Sequence, residues 1–197
     1  MARPARFDDD TILQAALYVV QAHGPSGLTI DAVAKQMGGH VGSIYYRFPT
    51  KDHLLARLWI RAARAGQSGA LTALRQADLE TAFERSALHY PRWARSDPAQ
   101  AQLLAAYGRE QLIRHVPDDL AHELEQLNTD LNAAVTAFAQ RWYGGSKTVY
   151  RRAATFALLD LPASAIRRYL LAGKSPPSSL DAVILAASRA ALDAARR

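Results

Sequence analysis

The chain has 197 residues, of which 49% are hydrophobic and 21% charged, and it contains no cysteine. That length fits one large or two small domains with a substantial buried core. The missing cysteines exclude disulfides, thiolate metal sites and cysteine nucleophiles. No apolar run approaches the roughly 20 residues that span a bilayer, and residues 1–10 contain no apolar signal core, so we expect a cytoplasmic protein without a membrane partner.

The net charge of +6 is concentrated slightly toward the front of the chain. Residues 1–66 contain eight Lys or Arg against five acidic residues. A basic surface attracts polyanions such as nucleic acid. Because a solvated basic face is the commoner explanation of such a charge, it supports DNA binding only weakly.

Two helices are predicted at the start of the chain. Acidic residues at 8–10 favour a helix start, and 23–25 (His-Gly-Pro) ends that helix. Thr29 is a good N-cap for a second, short helix. Its apolar positions recur at helical spacing, at Ile30, Val33, Ala34 and Met37.

Two further helices follow a glycine turn. Gly38 and Gly39 permit unusual backbone angles and end the second helix. A third short helix is predicted at about 41–47, before Phe48-Pro49. Thr50 then caps a fourth helix over 51–75, which links the front of the chain to the remainder.

The remainder predicts only longer helices. We place them near 79–96, 98–113, 118–143, 146–172 and 180–196. Pro91 and Pro162 lie inside these patterns and are expected to kink or split their helices. The predicted fold class is all-α, with a small tri-helical front and a larger helical body.

The front has the layout of a helix-turn-helix at 29–48: two short helices, a tight turn and a bracing helix before them. Ile44 and Phe48 are expected to pin the second helix of the motif. Small or polar residues then remain free to enter a major groove. The exposed candidates are His40, Val41, Gly42, Ser43, Tyr45, Tyr46 and Arg47.

These residues resemble the TetR (tetracycline-repressor-like) family over about residues 8–60. The strongest matches are Thr29, Val33-Ala34, Gly42-Ser43-Ile44-Tyr45, Phe48, Thr50-Lys51-Asp52 and Leu54. The resemblance implies a helix-turn-helix DNA-binding domain at 1–50. It also implies an effector-binding and dimerisation domain at 51–197.

The resemblance further implies which residues bind DNA. They are Thr29, His40, Val41, Gly42, Ser43, Tyr45, Tyr46 and Lys51. Thr29, Tyr45 and Lys51 would contact phosphates, although the Tyr45 ring can also pack inside the unit. Arg3 and Arg6 have two open interpretations, a flexible arm that reaches a groove or an ordinary basic terminus.

Two positions depart from the family's pattern. The family usually has a small apolar residue at position 39 and Ser or Thr at position 40. Gly39 is therefore expected to lose an apolar contact in the turn. His40 is expected to be a poorer N-cap, unless it contacts a phosphate or a base instead.

For the body, the resemblance implies a homodimer paired through the last two long helices. The interface candidates are Val183, Ile184, Ala187 and Ala191, although intrachain packing also favours such residues. It also implies a largely apolar effector pocket in the middle helices. The aromatic candidates, each more often a core residue, are Phe83, Tyr90, Trp93, Tyr107, Phe138, Trp142 and Phe156.

The function that follows is a transcriptional regulator, by the family's usual mode a repressor. It would bind a pseudo-palindromic double-stranded DNA operator as a homodimer and be released by a small-molecule effector, with no cofactor or metal. His115, Asp118 and His122 lack a tight ligand pattern and favour a solvated helix start. Two alternatives remain, a helical dimeric adaptor whose head does not bind DNA, and an enzyme, for which no catalytic motif is present.

Overall fold

A computed structural model describes residues 7–196, and all the regular secondary structure of these residues is helical, as the sequence predicts. The α-helices are α1 Asp9–His23, α2 Ile30–Gln36, α3 Val41–Tyr45, α4 Lys51–Leu74, α5 Leu79–Ser96, α6 Pro98–Ala106, α7 Arg109–Ile113, α8 Asp118–Gln126, α9 Thr129–Tyr143, α10 Thr148–Thr155, α11 Leu161–Leu171 and α12 Leu180–Ala194. A 3-10 turn at Pro25–Gly27 follows α1, and a π-helical turn at Phe156–Asp160 joins α10 to α11.

The chain divides into two compact units. The first comprises the described residues up to Ala63 together with Ala99–Glu125. The second comprises Arg64–Pro98 and the described residues from Gln126 onward. This division concerns packing, and the functional domain boundary expected between residues 50 and 51 stays a prediction.

Local capping chemistry sets the ends of the first two helices. The Asp8 carboxylate accepts from the Thr11 N–H at 2.8 Å. Hydrogen bonding with the Thr11 side chain, and to a lesser extent with this N–H, lowers the pKa of Asp8. Gly24 ends α1 with a φ of 71°, a left-handed value that favours glycine. The Thr29 hydroxyl accepts from the Ala32 N–H at 3.1 Å and caps α2, as predicted.

Hydrogen bonds from aromatic side chains tie the later helices of the first unit to its front. The Trp59 indole N–H donates to the Tyr107 carbonyl at 3.0 Å. The Tyr107 hydroxyl donates to the Pro25 carbonyl at 3.2 Å. Arg57 pairs with Glu123 at 2.6 Å. These contacts fix the residues around Tyr107 against α4 and the turn after α1.

The second unit has an apolar core drawn from several helices. Its large side chains are Leu74, Phe83, Leu131, Val135, Phe138, Trp142, Leu158 and Leu192. The buried Ser188 of α12 donates its hydroxyl to the Ala157 carbonyl at 2.7 Å, within the π-helical turn. A buried hydroxyl requires such a partner, so Ser188 and Ala157 fix α12 beside that turn.

Two predicted long helices are each divided in the structure. The predicted helix at 98–113 breaks at Tyr107-Gly108, where Gly108 is extended, with φ −87° and ψ 145°. The predicted helix at 118–143 breaks at Leu127-Asn128, where Asn128 accepts from the Gln67 amide at 2.7 Å. Both breaks lie at residues whose polar groups bind side chains of α4.

The two interior prolines were expected to kink or split their helices, and they differ in their effect. Pro91 does not split its helix, since α5 is continuous from Leu79 to Ser96. Pro162 lies in the first turn of α11, directly after the π-helical turn. A proline is tolerated in a first turn because its missing N–H has no intrahelical acceptor there. The predicted helix at 146–172 is therefore divided into α10, the π-helical turn and α11, in agreement with the expected split at Pro162.

Within residues 7–196, no helix combines the length and apolarity that a membrane span requires.

Candidate DNA-binding face

The recognition helix α3 is held by two apolar side chains. Ile44 and Phe48 are both buried, as expected for residues that pin this helix. The Phe48 N–H donates to the Ile44 carbonyl at 2.8 Å, beyond the end of α3 at Tyr45. A five-residue helix is too short to be stable alone, so this packing is what fixes it on the first unit.

The opposite side of α3 is open to solvent. Tyr46 is 84% exposed, and Tyr45 and Gly42 are also exposed. Val41 and Ser43 are half-buried. A small, polar and aromatic surface of this kind has room to approach base edges and phosphates. The structure therefore presents α3 with an apolar buried side and an exposed side.

The two motif helices begin with different caps. Exposed Thr29 caps α2, whereas exposed His40 is the N-cap residue of α3 without a side-chain capping hydrogen bond. The absence of that bond agrees with the expectation that His40 is a poor cap. Its imidazole is therefore available to solvent or to DNA.

The start of α4 places an exposed lysine at a capped helix N-terminus. The Thr50 hydroxyl accepts from the His53 N–H at 3.0 Å and so caps this helix. Lys51, the first residue of α4, is exposed. A lysine beside the free N–H groups of a helix start attracts a phosphate.

His53 packs against Phe48, one of the two buried residues that hold α3 in place. Its ring lies edge-on to Phe48 with 5.9 Å between ring centroids. Burial lowers the pKa of His53, and the neighbouring Arg57 lowers it further. The neutral imidazole is therefore favoured in the folded chain, and His53 contributes packing rather than positive charge to this face.

The glycine turn uses its two glycines for different reasons. Gly38 has a φ of 62°, which favours glycine, whereas Gly39 has no positive φ. A Cβ at position 39 would lie 2.8 Å from Cε2 of Phe7 and 3.1 Å from Cε of Met37. The expectation that Gly39 loses an apolar contact is thus wrong, because the Phe7 ring occupies the space. Nothing in the local sequence pattern indicates that Phe7 reaches this turn.

Arg47 is not a free surface cation. Its Nε donates to the Phe7 carbonyl at 3.0 Å, and its Nη1 lies 2.6 Å from the Asp9 carboxylate. The guanidinium is therefore directed toward the start of α1. Arg3 and Arg6, the predicted arm residues, lie outside the described residues.

Five of the seven predicted aromatic effector residues lie in or against the core of the second unit, or in the first unit. Phe83, Phe138 and Trp142 fill the core of the second unit, with ring centroids 5.7 Å apart for Phe83–Trp142 and 5.4 Å for Phe138–Trp142. Tyr90 packs against that core, and burial raises its pKa to about 12. Tyr107 belongs to the first unit. Three of these five side chains are therefore core residues of the second unit, and Tyr107 belongs to a different unit from the other four.

The other two aromatic candidates are more open. Phe156 is half exposed on the π-helical turn. Trp93 lines an open groove of 690 Å³ between α4 and α5, within the second unit. Its other lining residues are Gly69, Thr72, Ala73, Arg85, His89, Arg92 and Ser96. Only Trp93 of the predicted effector residues borders this groove.

His89 and Trp93 approach α4 at its two glycines. The His89 Nε2 lies 2.6 Å from the Gly66 carbonyl, so Nε2 carries the proton that it donates. A Cβ at position 66 would lie 3.1 Å from the Trp93 ring, and one at position 69 would clash with the His89 ring. Burial lowers the pKa of His89. The groove thus has an aromatic floor that requires Gly66 and Gly69.

The predicted interface residues of α12 differ in their exposure. Val183 is 62% exposed and Ala187 is exposed, while Ala191 is half-buried. Ile184 is only 1% exposed. Because its side chain packs inside its own unit, Ile184 is unavailable to a partner and leaves the interface set.

Potential metal-ligating side chains are scattered within residues 7–196. Among residues 7–196, no group of three or more potential metal-ligating side chains comes together. His115, Asp118 and His122 are among these residues.

Comparisons with known proteins agree on one family. Residues 12–58 match the family model described as bacterial regulatory proteins, tetR family. Among curated protein sequences, none matches the chain. The family match covers α1 to α3 and the start of α4, which include the candidate DNA-binding residues.

Solved structures match nearly the whole chain. PfmR, a TetR family transcriptional regulator from Thermus thermophilus, has a TM-score of 0.68 and 16% identity, over 92% of this chain and 97% of that chain. A TetR transcription regulator from Haloarcula marismortui has a TM-score of 0.72 and 15% identity, over 94% and 96%. FadR from Bacillus subtilis, a transcriptional regulator in complex with stearoyl-CoA, has a TM-score of 0.65 and 13% identity, over 95% and 97%.

At such identities the solved structures show the fold, and the family match concerns the helix-turn-helix region alone. Residues 12–58 thus match the model of the bacterial regulatory proteins of the tetR family, and the chain as a whole has the fold of TetR family transcriptional regulators.

Proposed function

We propose that the protein is a non-enzymatic transcriptional repressor that binds a pseudo-palindromic operator as a homodimer and is released by a small-molecule effector. The observation that carries this proposal is α3 itself. Its buried residues Ile44 and Phe48 pin it to the first unit, while Gly42, Tyr45 and Tyr46 are left exposed. A short helix held in this way is the reading element of a helix-turn-helix.

The exposed residues divide into two roles. Thr29 and Lys51 lie at helix starts, where N–H groups and positive charge favour phosphate. Val41, Gly42 and Ser43 are small and lie at the start of α3, from which they would approach base edges. Phosphate contacts would set the position of the protein, and base contacts would set its sequence preference.

The homodimer is proposed to form through α12. Its exposed residues include an apolar stripe at helical spacing: Val183, Ala186, Ala187 and Ala190. Small side chains allow two helices to approach closely. Two recognition helices, set about 34–36 Å apart, would read a site with two-fold symmetry.

The effector is proposed to bind the second unit at the groove between α4 and α5. Arg85 and Arg92 line it with the Trp93 ring, and no acidic residue does. Within the described residues, Arg85 has no ion pair or hydrogen bond to another side chain. A negatively charged, partly apolar compound fits this chemistry, since cations and an aromatic surface lie side by side. The solved FadR structure with stearoyl-CoA is consistent with such an effector.

Release would be a shift in population. An effector that binds one conformation of the second unit more tightly favours that conformation, and operator affinity falls by the difference in binding free energy. Helix α4 contains both Lys51 and Gly69 and is the proposed lever.

Stearoyl-CoA and decanoate are suitable probes for the groove. Quenching of tryptophan fluorescence measures their binding. Arg85→Gln is expected to weaken it about tenfold, a typical loss for one charge-assisted contact. Arg75→Gln removes an exposed arginine that does not line the groove and serves as the control. Equal binding by both variants would exclude the groove as the effector site.

Selection of bound sequences from random double-stranded DNA tests the function directly. The full chain is expected to enrich a motif with two-fold symmetry whose half-site centres lie about 10 base pairs, or a multiple, apart. If no sequence is enriched, the chain is not a sequence-specific regulator, and the alternative of a helical adaptor gains support.

A further inference from the structure

Gly39 is a glycine for lack of space rather than for backbone freedom. Its φ is not positive, so other residues can adopt its backbone conformation. A Cβ there would lie 2.8 Å from Cε2 and 3.2 Å from Cζ of Phe7. Real Cβ atoms do not approach a ring so closely, and Phe7 would have to move away. The Phe7 ring therefore fills the site of the side chain that Gly39 lacks.

Phe7 is held there by the residue that follows the recognition helix. The Arg47 Nε donates to the Phe7 carbonyl at 3.0 Å, and Arg47 Nη1 lies 2.6 Å from Asp9 Oδ1. Asp9 is the first residue of α1. One aromatic ring and one guanidinium thus connect the segment before α1 to both ends of α3.

Helix α3 depends on such support. It has five residues, and its N-cap residue His40 makes no side-chain capping hydrogen bond. Short helices are marginal alone, and a missing cap weakens their first turn further. The contacts at Gly39 and at Arg47 restrain the two ends of α3, which the hydrogen bonds within so short a helix do not hold in place.

We propose that Phe7, Gly39 and Arg47 form a clamp that positions α3 for sequence-specific DNA reading, with Phe7 as a positioning residue outside the DNA-contacting set. This inference rests on the proposed function. The clamp holds the start of α3 at the angle at which its first turn meets base edges. Phosphate contacts at Thr29 and Lys51 arise from α2 and α4 and do not depend on it.

A size-swap experiment tests the clamp in the full chain. Phe7→Ala removes the ring, and Gly39→Val inserts a side chain that displaces it. Each single variant is expected to lower affinity for the selected operator about tenfold, while the double variant recovers to within about threefold, because valine then fills the vacated space. Affinity for random DNA, measured at the same salt concentration, is expected to change less than about twofold in all three variants.

Two additional measurements separate positioning from folding. Phe7→Leu keeps apolar bulk and is expected to retain most of the operator affinity that Phe7→Ala loses. Chemical unfolding of the unaltered protein, the two single variants and the double variant gives the coupling free energy between positions 7 and 39 in the absence of DNA. A favourable coupling in both measurements supports the clamp.

Any one of three results would overturn the clamp. These are an unchanged operator affinity in Phe7→Ala, a double variant that binds no better than the weaker single variant, and an equal loss of affinity for operator and random DNA. Failure of the proposed function is recognised separately, because the unaltered protein then prefers no sequence. In that case both proposals are wrong. If the unaltered protein does prefer a sequence but the double variant does not recover operator affinity, only the clamp is wrong.

Discussion

Arg95 binds Asp181 through both carboxylate oxygens, with Nη1–Oδ1 and Nη2–Oδ2 distances of 3.0 and 2.7 Å. The two side chains are only 23% and 21% exposed. This forked contact joins α5 to the first turn of α12, two residues before Val183. The position of the proposed dimer helix within its unit therefore depends on an ion pair that is partly shielded from water.

Loss of this pair should destabilise the second unit. Arg95→Gln is expected to lower the free energy of unfolding by about 1–2 kcal/mol, because it leaves a partly buried carboxylate without its bidentate partner. Arg92→Gln is the matched control, since Arg92 lies 3.9 Å from the same carboxylate and is 60% exposed. Its expected loss is under about 0.5 kcal/mol. Urea unfolding measures both, and equal losses would contradict the role given to Arg95.

Lys51 should contribute to DNA affinity without sequence preference. Lys51→Ala is expected to weaken binding to the selected operator and to random DNA by a similar factor, and to reduce the salt slope by about 1. Ser43→Ala, on α3, should instead change which base is preferred at one symmetric pair of positions. Fluorescence anisotropy titrations across a salt series distinguish the two. A change of sequence preference in Lys51→Ala would argue against a phosphate contact.

The exposed stripe of α12 should hold the homodimer together. Val183→Glu places a charge on an exposed apolar position that the proposal buries, and burial of an unpaired charge is costly. The variant is expected to be a folded monomer with weakened operator binding. Sedimentation velocity measures the mass.

Tyr18→Glu is the control for that experiment. Tyr18 is an exposed aromatic residue of the first unit, outside α12. This variant should keep the mass of the unaltered protein. A dimer in Val183→Glu, or a monomer in both variants, would show that the stripe is not the interface.

The partly buried His89 should make stability depend on pH. Burial lowers the pKa of its imidazole in the folded chain, whereas the unfolded chain keeps the ordinary value of 6.5. As pH falls below that value, the unfolded chain binds the proton first, so stability is full above it and is lost toward the lower folded pKa.

His89→Gln should therefore lose less stability than the unaltered protein between about pH 7.5 and pH 5.5. His53, whose pKa is lowered in the same direction, is present in both proteins and cancels in the difference. Urea unfolding at the two pH values measures the effect. The same loss in both proteins would contradict a shielded, neutral His89.

Local signals in the sequence predicted most of the helix-turn-helix. Helix ends were predictable because they depend on near neighbours in the chain. Asp8 and Thr29 cap helices through hydrogen bonds three residues along, and Gly24 and Gly38 adopt positive φ values that glycine favours. The buried role of Ile44 also follows from local spacing. Such features are encoded within a few residues, and the structure confirms them.

Features that depend on distant residues were not predictable in the same way. Helix α6 ends before Gly108, next to the Tyr107 carbonyl. That carbonyl accepts a hydrogen bond from the indole N–H of Trp59, 48 residues earlier in the chain. Gly39 was expected to leave a gap, yet Phe7 fills it from before α1. Trp142 was a reasonable pocket candidate by residue type, but its neighbours Phe83 and Phe138 make it a core residue. Composition and periodicity do not specify which distant side chain arrives at a given position.

The most direct test of the central claim is the ratio of two affinities measured in the same buffer. The unaltered protein is titrated with the sequence selected from random DNA and with a scrambled sequence of equal composition. A sequence-specific regulator should bind the selected sequence about 10³-fold or more tightly. Equal affinity for the two sequences would contradict the assignment of α3 as an operator-reading helix.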